Sequence, residues 1–220
     1  MGKRFVELIK YFYECFIETL FPHINQCICC GEESDEVICD KCNSKINYIT
    51  GKIKLKDFDE YVYPCCYYGH EIKKLVLKFK YGRDFYIGEK LGDFIIDKIK
   101  SFEDKNWVLA YIPSSKKNIK DRGFDQCEFL AEYIEHETGI LAKKYLIKDD
   151  NVKEQKRLSH KERIDNLKDA FQSSKEVSGK EVILIDDVIT TGATLFFAKK
   201  ALIDAGAKKV LIIAVAKSTI

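Results

Sequence analysis

The segment Val182-Ile183-Leu184-Ile185-Asp186-Asp187 constrains this chain more than any other. Four consecutive apolar residues, three of them β-branched, describe a strand buried on both faces of a parallel sheet. Acids at its end stand where an open α/β sheet meets a ligand crevice. Val188 and Ile189 lead into Thr190-Thr191-Gly192-Ala193-Thr194, a turn of hydroxyls with one glycine, and the apolar run Leu195 to Ile203 reads as the helix that follows. N–H groups at a helix start lack intrahelical partners and sit at the positive end of the dipole, so they favour a phosphate. Gly192 lets the backbone approach an anion with no Cβ in the way, and the threonines add donors.

The two carboxylates would repel that phosphate, so they call for a different partner. An ionised carboxylate only accepts hydrogen bonds, which suits the two donors of a vicinal diol. A ribose carrying a 5′-phosphate satisfies both halves of the stretch. Buried strands that end in a solvated acidic turn are common, but strand, Asp-Asp, Thr-Thr-Gly-x-Thr and helix in series are not.

At 220 residues there is room for one α/β domain and a small appendage, and 46% apolar residues supply an ordinary core. The net charge of +2 conceals 37 basic and 35 acidic side chains, so no global field draws the protein to nucleic acid or a membrane. No run approaches 18 uncharged apolar residues, which argues against a membrane span. Phe5, Leu8, Ile9, Phe12, Phe16, Ile17 and Leu20 share one helical face, interrupted by Glu7, Lys10, Glu14 and Glu18 as no secretory segment would be. That face is expected to cap a core, and the helix to end before Phe21-Pro22.

Five of the nine cysteines fall within residues 27–42. Cys27/Cys30 and Cys39/Cys42 are two C-x2-C pairs, and Gly31 lets the first turn close. Four thiolates on two tight turns suit a tetrahedral zinc ion, and four protein ligands leave no open position, so the expected role is structural. Cys29 is left over. A cytoplasmic protein with a metal site accounts for this pattern better than a disulfide framework with an odd cysteine.

Residues 43–62 read as a connection, so the expected organisation is an N-terminal helix and knuckle over 1–60 and an α/β domain over 61–220. Within that domain, 62–68 reads as an edge strand because of Pro64. Ile72, Leu75, Val76 and Phe79 space as a helix whose Lys73, Lys74, Lys78 and Lys80 read as a solvated basic face. Residues 86–100 form a second helix, and 107–112 a buried strand stopped by Pro113-Ser114-Ser115-Lys116-Lys117. That loop would face the same crevice as the acids, with hydroxyls and lysines for a second anion. Residues 116–126 read as a basic loop entering a helix, 140–147 as containing a strand, and 210–215 as the last buried strand.

With these features in place, the chain resembles the ComF family of phosphoribosyltransferase-like proteins nearly end to end. The resemblance rests on the cysteine knuckle after Phe21-Pro22, on Leu77-Lys78-Phe79-Lys80-Tyr81-Gly82 and on Arg122-Gly123-Phe124-Asp125-Gln126. It also rests on Gln155 with Arg157-Leu158, on Arg163 with Asn166 and Ala170-Phe171, and on the acid-threonine loop, which looks like the phosphoribosyl pyrophosphate (PRPP) loop of type I phosphoribosyltransferases. The family usually has Asn where Asp125 stands, and an acid there is expected to neutralise Arg122.

The resemblance implies a type I phosphoribosyltransferase fold, α/β with a mainly parallel sheet flanked by helices, and a small N-terminal knuckle of four cysteines. It places the ribose 2′- and 3′-hydroxyls on Asp186 and Asp187, and the 5′-phosphate on residues 190–194. Pyrophosphate, with Mg2+, would meet Ser114, Ser115, Lys116 and Lys117 under Arg122 or Arg163. It further implies a role in competence, beside a helicase that takes up single-stranded DNA, with Tyr81 and Phe124 available for stacking. Three activities share this loop: phosphoribosyl transfer, PRPP sensing without turnover, and nucleic-acid binding. No segment identifies an acceptor.

Overall fold

The β-branched runs become the centre of a five-stranded sheet in a computed structural model that describes residues 25–102, 106–149 and 170–218. In chain order the strands are β1 (Ile53–Lys54), β2 (Tyr61–Tyr67), β3 (Trp107–Tyr111), β4 (Leu146–Lys148), β5 (Phe171–Ser173), β6 (Glu181–Ile189) and β7 (Lys209–Lys217). The large sheet runs β1-β2-β7-β6-β3, and β4 pairs with β5 in a separate two-stranded ribbon. β2, β7, β6 and β3 are parallel to their neighbours, while β1 is antiparallel to β2. The expected helix over 5–20 lies outside the described residues, as do Gln155, Lys156, Arg157, Arg163 and Asn166.

Side chains alternate across β6 and β7 and build two apolar layers. Ile183, Ile185, Ile213 and Val215 face one way, against α2 (His70–Leu77), α3 (Phe85–Lys100) and α5 (Gln126–Thr138). Val182, Leu184, Val210, Ile212 and Ala214 face the other way, against α6 (Ala193–Asp204) and the β4–β5 ribbon. The inward positions expected for the second helix, Ile87, Leu91, Phe94, Ile95 and Ile99, are all buried. Gly88 and Gly92 bring α5 close to α3: a Cβ at Gly88 would stand 2.5 Å from Phe129, and one at Gly92 2.4 Å from Tyr133.

Three local expectations need correction. β2 is not an edge, because β1 and a bridge from Tyr48 to Cys66 cover its outer side. The supposed connection over 43–62 contains β1 and packs inward through Ile46 and Leu55, so its charged residues mask two anchors. Residues 116–122 are the helix α4 (Lys116–Arg122), capped by Ser115 Oγ accepting from Asn118 N at 3.3 Å and stopped by Gly123 at φ 89°. A short helix, α1 (Asp40–Asn43), carries the second cysteine pair.

Cys27, Cys29, Ile38, Cys42 and Ile46 belong to the same apolar cluster as α2, α3 and α5. Cys29 Sγ donates to Glu71 O at 3.9 Å, and Lys74 Nζ donates to Cys29 O at 2.5 Å. The knuckle is therefore seated on α2, and two of its contacts come from residues that sequence spacing left spare or solvated.

Candidate functional site

The sheet's carboxyl edge is built by the loops after β2, β3 and β6. The acids do not end their strand as expected, because β6 continues beside β7 to Ile189; pairing between β3 and β6, however, stops at Tyr111 with Ile185, so Asp186 and Asp187 lie just past the last paired residue on that side. Asp187 continues the face of Ile183 and Ile185 and is 5% exposed, while Asp186 is half-buried. Asp186 Oδ1 accepts from Asp187 N at 2.9 Å and from Cys127 Sγ, at the start of α5, at 3.5 Å. Asp187 Oδ1 accepts from Val188 N at 2.6 Å. Burial, and then the neighbouring Asp187 charge, push the Asp186 carboxyl up to about 7. Burial drives the Cys127 thiol well above its usual range, so it stays protonated and acts as a donor to Asp186.

Lys80, expected on a solvated face, belongs to this site. It forms an ion pair with Asp187 Oδ2, and the two side chains are only 16% and 7% exposed. Burial works against the ammonium, but the Asp187 carboxylate overrides it and the Lys80 pKa ends above its ordinary value. Lys80 therefore leaves the solvated basic face assigned to it. Its geometry follows from α2, which passes at Lys78 into a π-helical turn, Lys78–Gly82. Turns of this kind are frequent at functional sites. Tyr68, following β2, is half-buried and lies close enough for the charges of Lys80 and Asp187 to act on its hydroxyl.

Beyond the acids, Thr190 and Thr191 are exposed, Gly192 and Ala193 are buried and Thr194 is intermediate. Val188 is half-buried, and Ile189 is a core residue at 1% exposure. Gly192 opens α6 at φ 87° without a side-chain cap of its own, and Thr191 Oγ1 accepts from Ala193 N at 3.4 Å. A Cβ at Gly192 would stand 2.5 Å from Leu55 of the β1–β2 hairpin, so the turn is pressed between that hairpin and its helix. Lys217 Nζ, from the end of β7, donates to Thr190 O at 2.8 Å.

Across the crevice, Ser114 is held by Asp125. Ser114 N donates to Asp125 Oδ2 at 2.7 Å, Ser114 Oγ donates to Oδ1 at 3.1 Å, and Cys127 N also donates to Oδ1, at 3.0 Å. Asp125 does not neutralise Arg122 as expected. Arg122 Nη1 instead donates to Gln126 Oε1 at 2.6 Å, and its guanidinium lies 5.5 Å from the Tyr81 ring centre. Lys116 and Lys117 are exposed at the start of α4. Arg83, the one non-glycine residue with positive φ among the described residues, donates from Nε to Arg122 O at 2.8 Å. Phe124 packs with Phe79 and Phe85, leaving Tyr81, 65% exposed, as the open aromatic.

The second candidate site is the knuckle. The Sγ atoms of Cys27, Cys30, Cys39 and Cys42 lie within 4.8 Å of one another, and Cys30 to Cys39 is 3.7 Å. Tetrahedral ligands at zinc–sulfur bond length stand about 3.8 Å apart, so these four thiols can hold a metal ion such as zinc. Cys39 N donates to Cys27 Sγ at 3.3 Å, the type of second-layer contact that orients a thiolate. Cys65 and Cys66 take no part: they are buried and donate to Phe94 O and Val215 O, each at 3.1 Å. No helix among the described residues is long and apolar enough to cross a membrane.

Residues 119–219 match the model of the phosphoribosyl transferase domain family. Competence protein ComFC of Bacillus subtilis (strain 168) is 31% identical over 198 residues, which cover 78% of this chain and 80% of that one. Competence protein ComFC of Streptococcus pneumoniae (strain ATCC BAA-255 / R6) is 32% identical over 143 residues, 65% of this chain and 62% of that one. Among solved structures, glutamine PRPP amidotransferase from B. subtilis aligns at a TM-score of 0.41 and 22% identity, over 58% of this chain and 26% of its own. A mostly parallel sheet with helices, a phosphoribosyltransferase domain and an N-terminal cysteine cluster occur together here, and the chain belongs to the ComF family of competence proteins.

Proposed function

We propose that this protein binds PRPP or another ribose 5-phosphate group at the carboxyl edge of its sheet. The observation that carries this reading is the placement of Asp186 and Asp187 past the last β3–β6 pair, near the end of β6, with residues 188–191 between them and a glycine-started helix. The acids accept from the ribose diol, and the turn 190–194 takes the 5′-phosphate through N–H groups and hydroxyls. Ser114, Ser115, Lys116 and Lys117 would hold the pyrophosphate, whose charge Mg2+ would help to neutralise, with Arg122 or Arg163 completing the anion contacts. A bound anion would give Lys116 and Lys117 a reason to sit at a helix start, where the dipole disfavours cations.

In this reading residues 1–60 support residues 61–220, and the four-cysteine site holds structural zinc. The names of the relatives point to competence, so we place the protein in the cytoplasm, beside a helicase that takes up single-stranded DNA. Exposed Tyr81, with Arg122 over its ring and Arg83 beside it, is the surface on which a base would stack. Calorimetric titration with PRPP and Mg2+ tests the core of the proposal. Binding by the wild type and none by the Asp186→Ala/Asp187→Ala protein is expected; equal affinity in the two would overturn it.

A further inference from the structure

The four thiols of the knuckle are not equivalent. Cys27 and Cys42 are 1% and 3% exposed and belong to the apolar cluster shared with α2, α3 and α5. Cys30 is the one exposed cysteine among the described residues, and Cys39 is half-buried with its Sγ 3.7 Å from that of Cys30. Each C-x2-C pair thus places one sulfur in the core and one nearer the surface, and the two outer sulfurs belong to different turns. Lys41, exposed and paired with Glu32 Oε1 at 3.0 Å, lies close enough for its charge to act on both of them. A coordinated thiol is already deprotonated. Thiolates that are accessible, beside a cation and next to a second cysteine are the ones that oxidise reversibly. We propose that Cys30 and Cys39 form a redox-modification site, at which a hydroperoxide links the two sulfurs and the metal is released. This rests on the reading of the four cysteines as a structural zinc site.

With hydrogen peroxide as the oxidant, the Cys30 thiolate attacks one oxygen, the O–O bond breaks and hydroxide leaves, giving a sulfenic acid at Cys30. Cys39 Sγ then attacks that sulfur, the S–O bond breaks and a second hydroxide leaves. Two thiolates have lost two electrons, the peroxide has gained them, and two protons from solvent turn both hydroxides into water. The 3.7 Å gap between the sulfurs has to close to about 2.0 Å, a movement on the scale of side-chain rotation. The link consumes one donor from each pair. Cys27 and Cys42 are too few for a closed tetrahedral site, so they take up protons as the metal departs. Transient disulfides of this kind are the ones that cytoplasmic proteins use. The loss reaches α2, because the turn that carries Cys30 is tied to it: Cys29 O accepts from Lys74 Nζ and Cys29 Sγ donates to Glu71 O.

The test starts from full-length protein isolated under reducing conditions and analysed for zinc, then exposed to hydrogen peroxide. Release is followed with a chromophoric zinc chelator, the linked residues are mapped by peptide mass spectrometry, and hydrogen exchange is measured across His70–Leu77. One zinc released per Cys30–Cys39 disulfide is expected, with faster exchange in α2, and a phosphine reductant with added zinc should reverse both. Protein that holds no zinc before oxidation would remove the zinc reading itself, and the proposal with it. Cys30→His keeps a side chain that can bind zinc but cannot form the link, and it should release zinc about tenfold more slowly or less. Where that variant does not hold zinc, the wild-type map decides alone. Zinc retained by the oxidised protein, or a disulfide joining any other pair, overturns the proposal. A Cys30→His protein that loses zinc at the wild-type rate does the same, and unchanged exchange overturns the link to α2.

Discussion

The knuckle and the acid crevice are both clusters of ionisable side chains, yet they are prepared in opposite ways. In the knuckle, four thiols converge on a common centre, within 4.8 Å of one another, on two turns fixed by their own backbone. Gly31 N donates to Cys27 O at 2.8 Å and Asn43 N to Cys39 O at 2.8 Å, so each turn closes by itself. The four sulfurs together offer the complete donor set of one metal ion. In the crevice the charges already answer one another: Lys80 neutralises Asp187, and Cys127 and a backbone N–H occupy Asp186. A metal ion would complete the first site, whereas a ligand would have to outcompete existing partners in the second. The first should behave as all-or-none, and the second should be graded and tunable.

The largest effect that could break this contrast is metal removal. Chelation, or Cys42→Ser, should take bound zinc from one per chain to none and lower the melting temperature by about 10 °C or more. Cys29→Ser should leave the metal in place, because Cys29 Sγ donates to Glu71 O and is not one of the four converging sulfurs. Metal analysis with melting curves separates the two, and a Cys29 variant that loses its zinc would contradict the ligand set.

Next is Gly192→Ala. The left-handed backbone and the 2.5 Å approach to Leu55 should cost about 2–3 kcal/mol in thermal or denaturant unfolding and weaken phosphate-bearing ligands. Unchanged affinity for ribose 5-phosphate would separate the turn from the site.

Smaller, and specific to the crevice, is the pH response. Asp186 is raised to about 7, so its proton remains below that pH and is gone above it. Since the diol needs an acceptor, ribose 5-phosphate affinity should rise about tenfold between pH 6 and 8. Asp187, Lys80 and Cys127 are the charged or titratable groups that face it, and Asp186→Asn should flatten the rise. Inorganic phosphate, titrated in parallel, accounts for ionisation of the ligand's own phosphate. The sign for stability is the reverse: with a folded pKa above the ordinary 3.8, the contribution of Asp186 is full below that value and declines as pH climbs toward 7.

The smallest expected effect belongs to Asp125→Asn. One amide oxygen cannot replace both carboxylate oxygens that receive Ser114 N, Ser114 Oγ and Cys127 N, and losing one such acceptor should cost about 1 kcal/mol. A variant as stable as wild type would place those contacts outside the structure's energetics.

How much of this was legible depends on whether a role is set by spacing along the chain or by packing across it. The knuckle ligands follow from two C-x2-C pairs, because tight turns fix ligand distances locally. The acid pair follows from strand hydrophobicity and the turn after it. Lys80 was readable but misread: it stands four residues after buried Val76 and eight after Ile72, on the apolar stripe rather than opposite it. Composition drew it into a lysine-rich face to which only part of the run belongs, since Lys74 is itself bonded to the knuckle. Cys127 and Asp125 could not have been found by spacing. Their roles arise where α5 meets β6 and the loop after β3, contacts that span up to 59 residues of sequence. Leu55 was hidden likewise, one apolar anchor in a charged hairpin, and it matters because Gly192 leaves space for it.

What has to hold is that two acids grip a diol while the turn beside them takes a phosphate. Calorimetric comparison of ribose 5-phosphate with 2-deoxyribose 5-phosphate tests it most directly, because the two differ only in one hydroxyl that Asp186 or Asp187 would accept from. The deoxy sugar should bind about tenfold or more weakly, and both sugars should lose affinity together when Thr190 and Thr191 are replaced by Val. Equal affinity for the two sugars would contradict it.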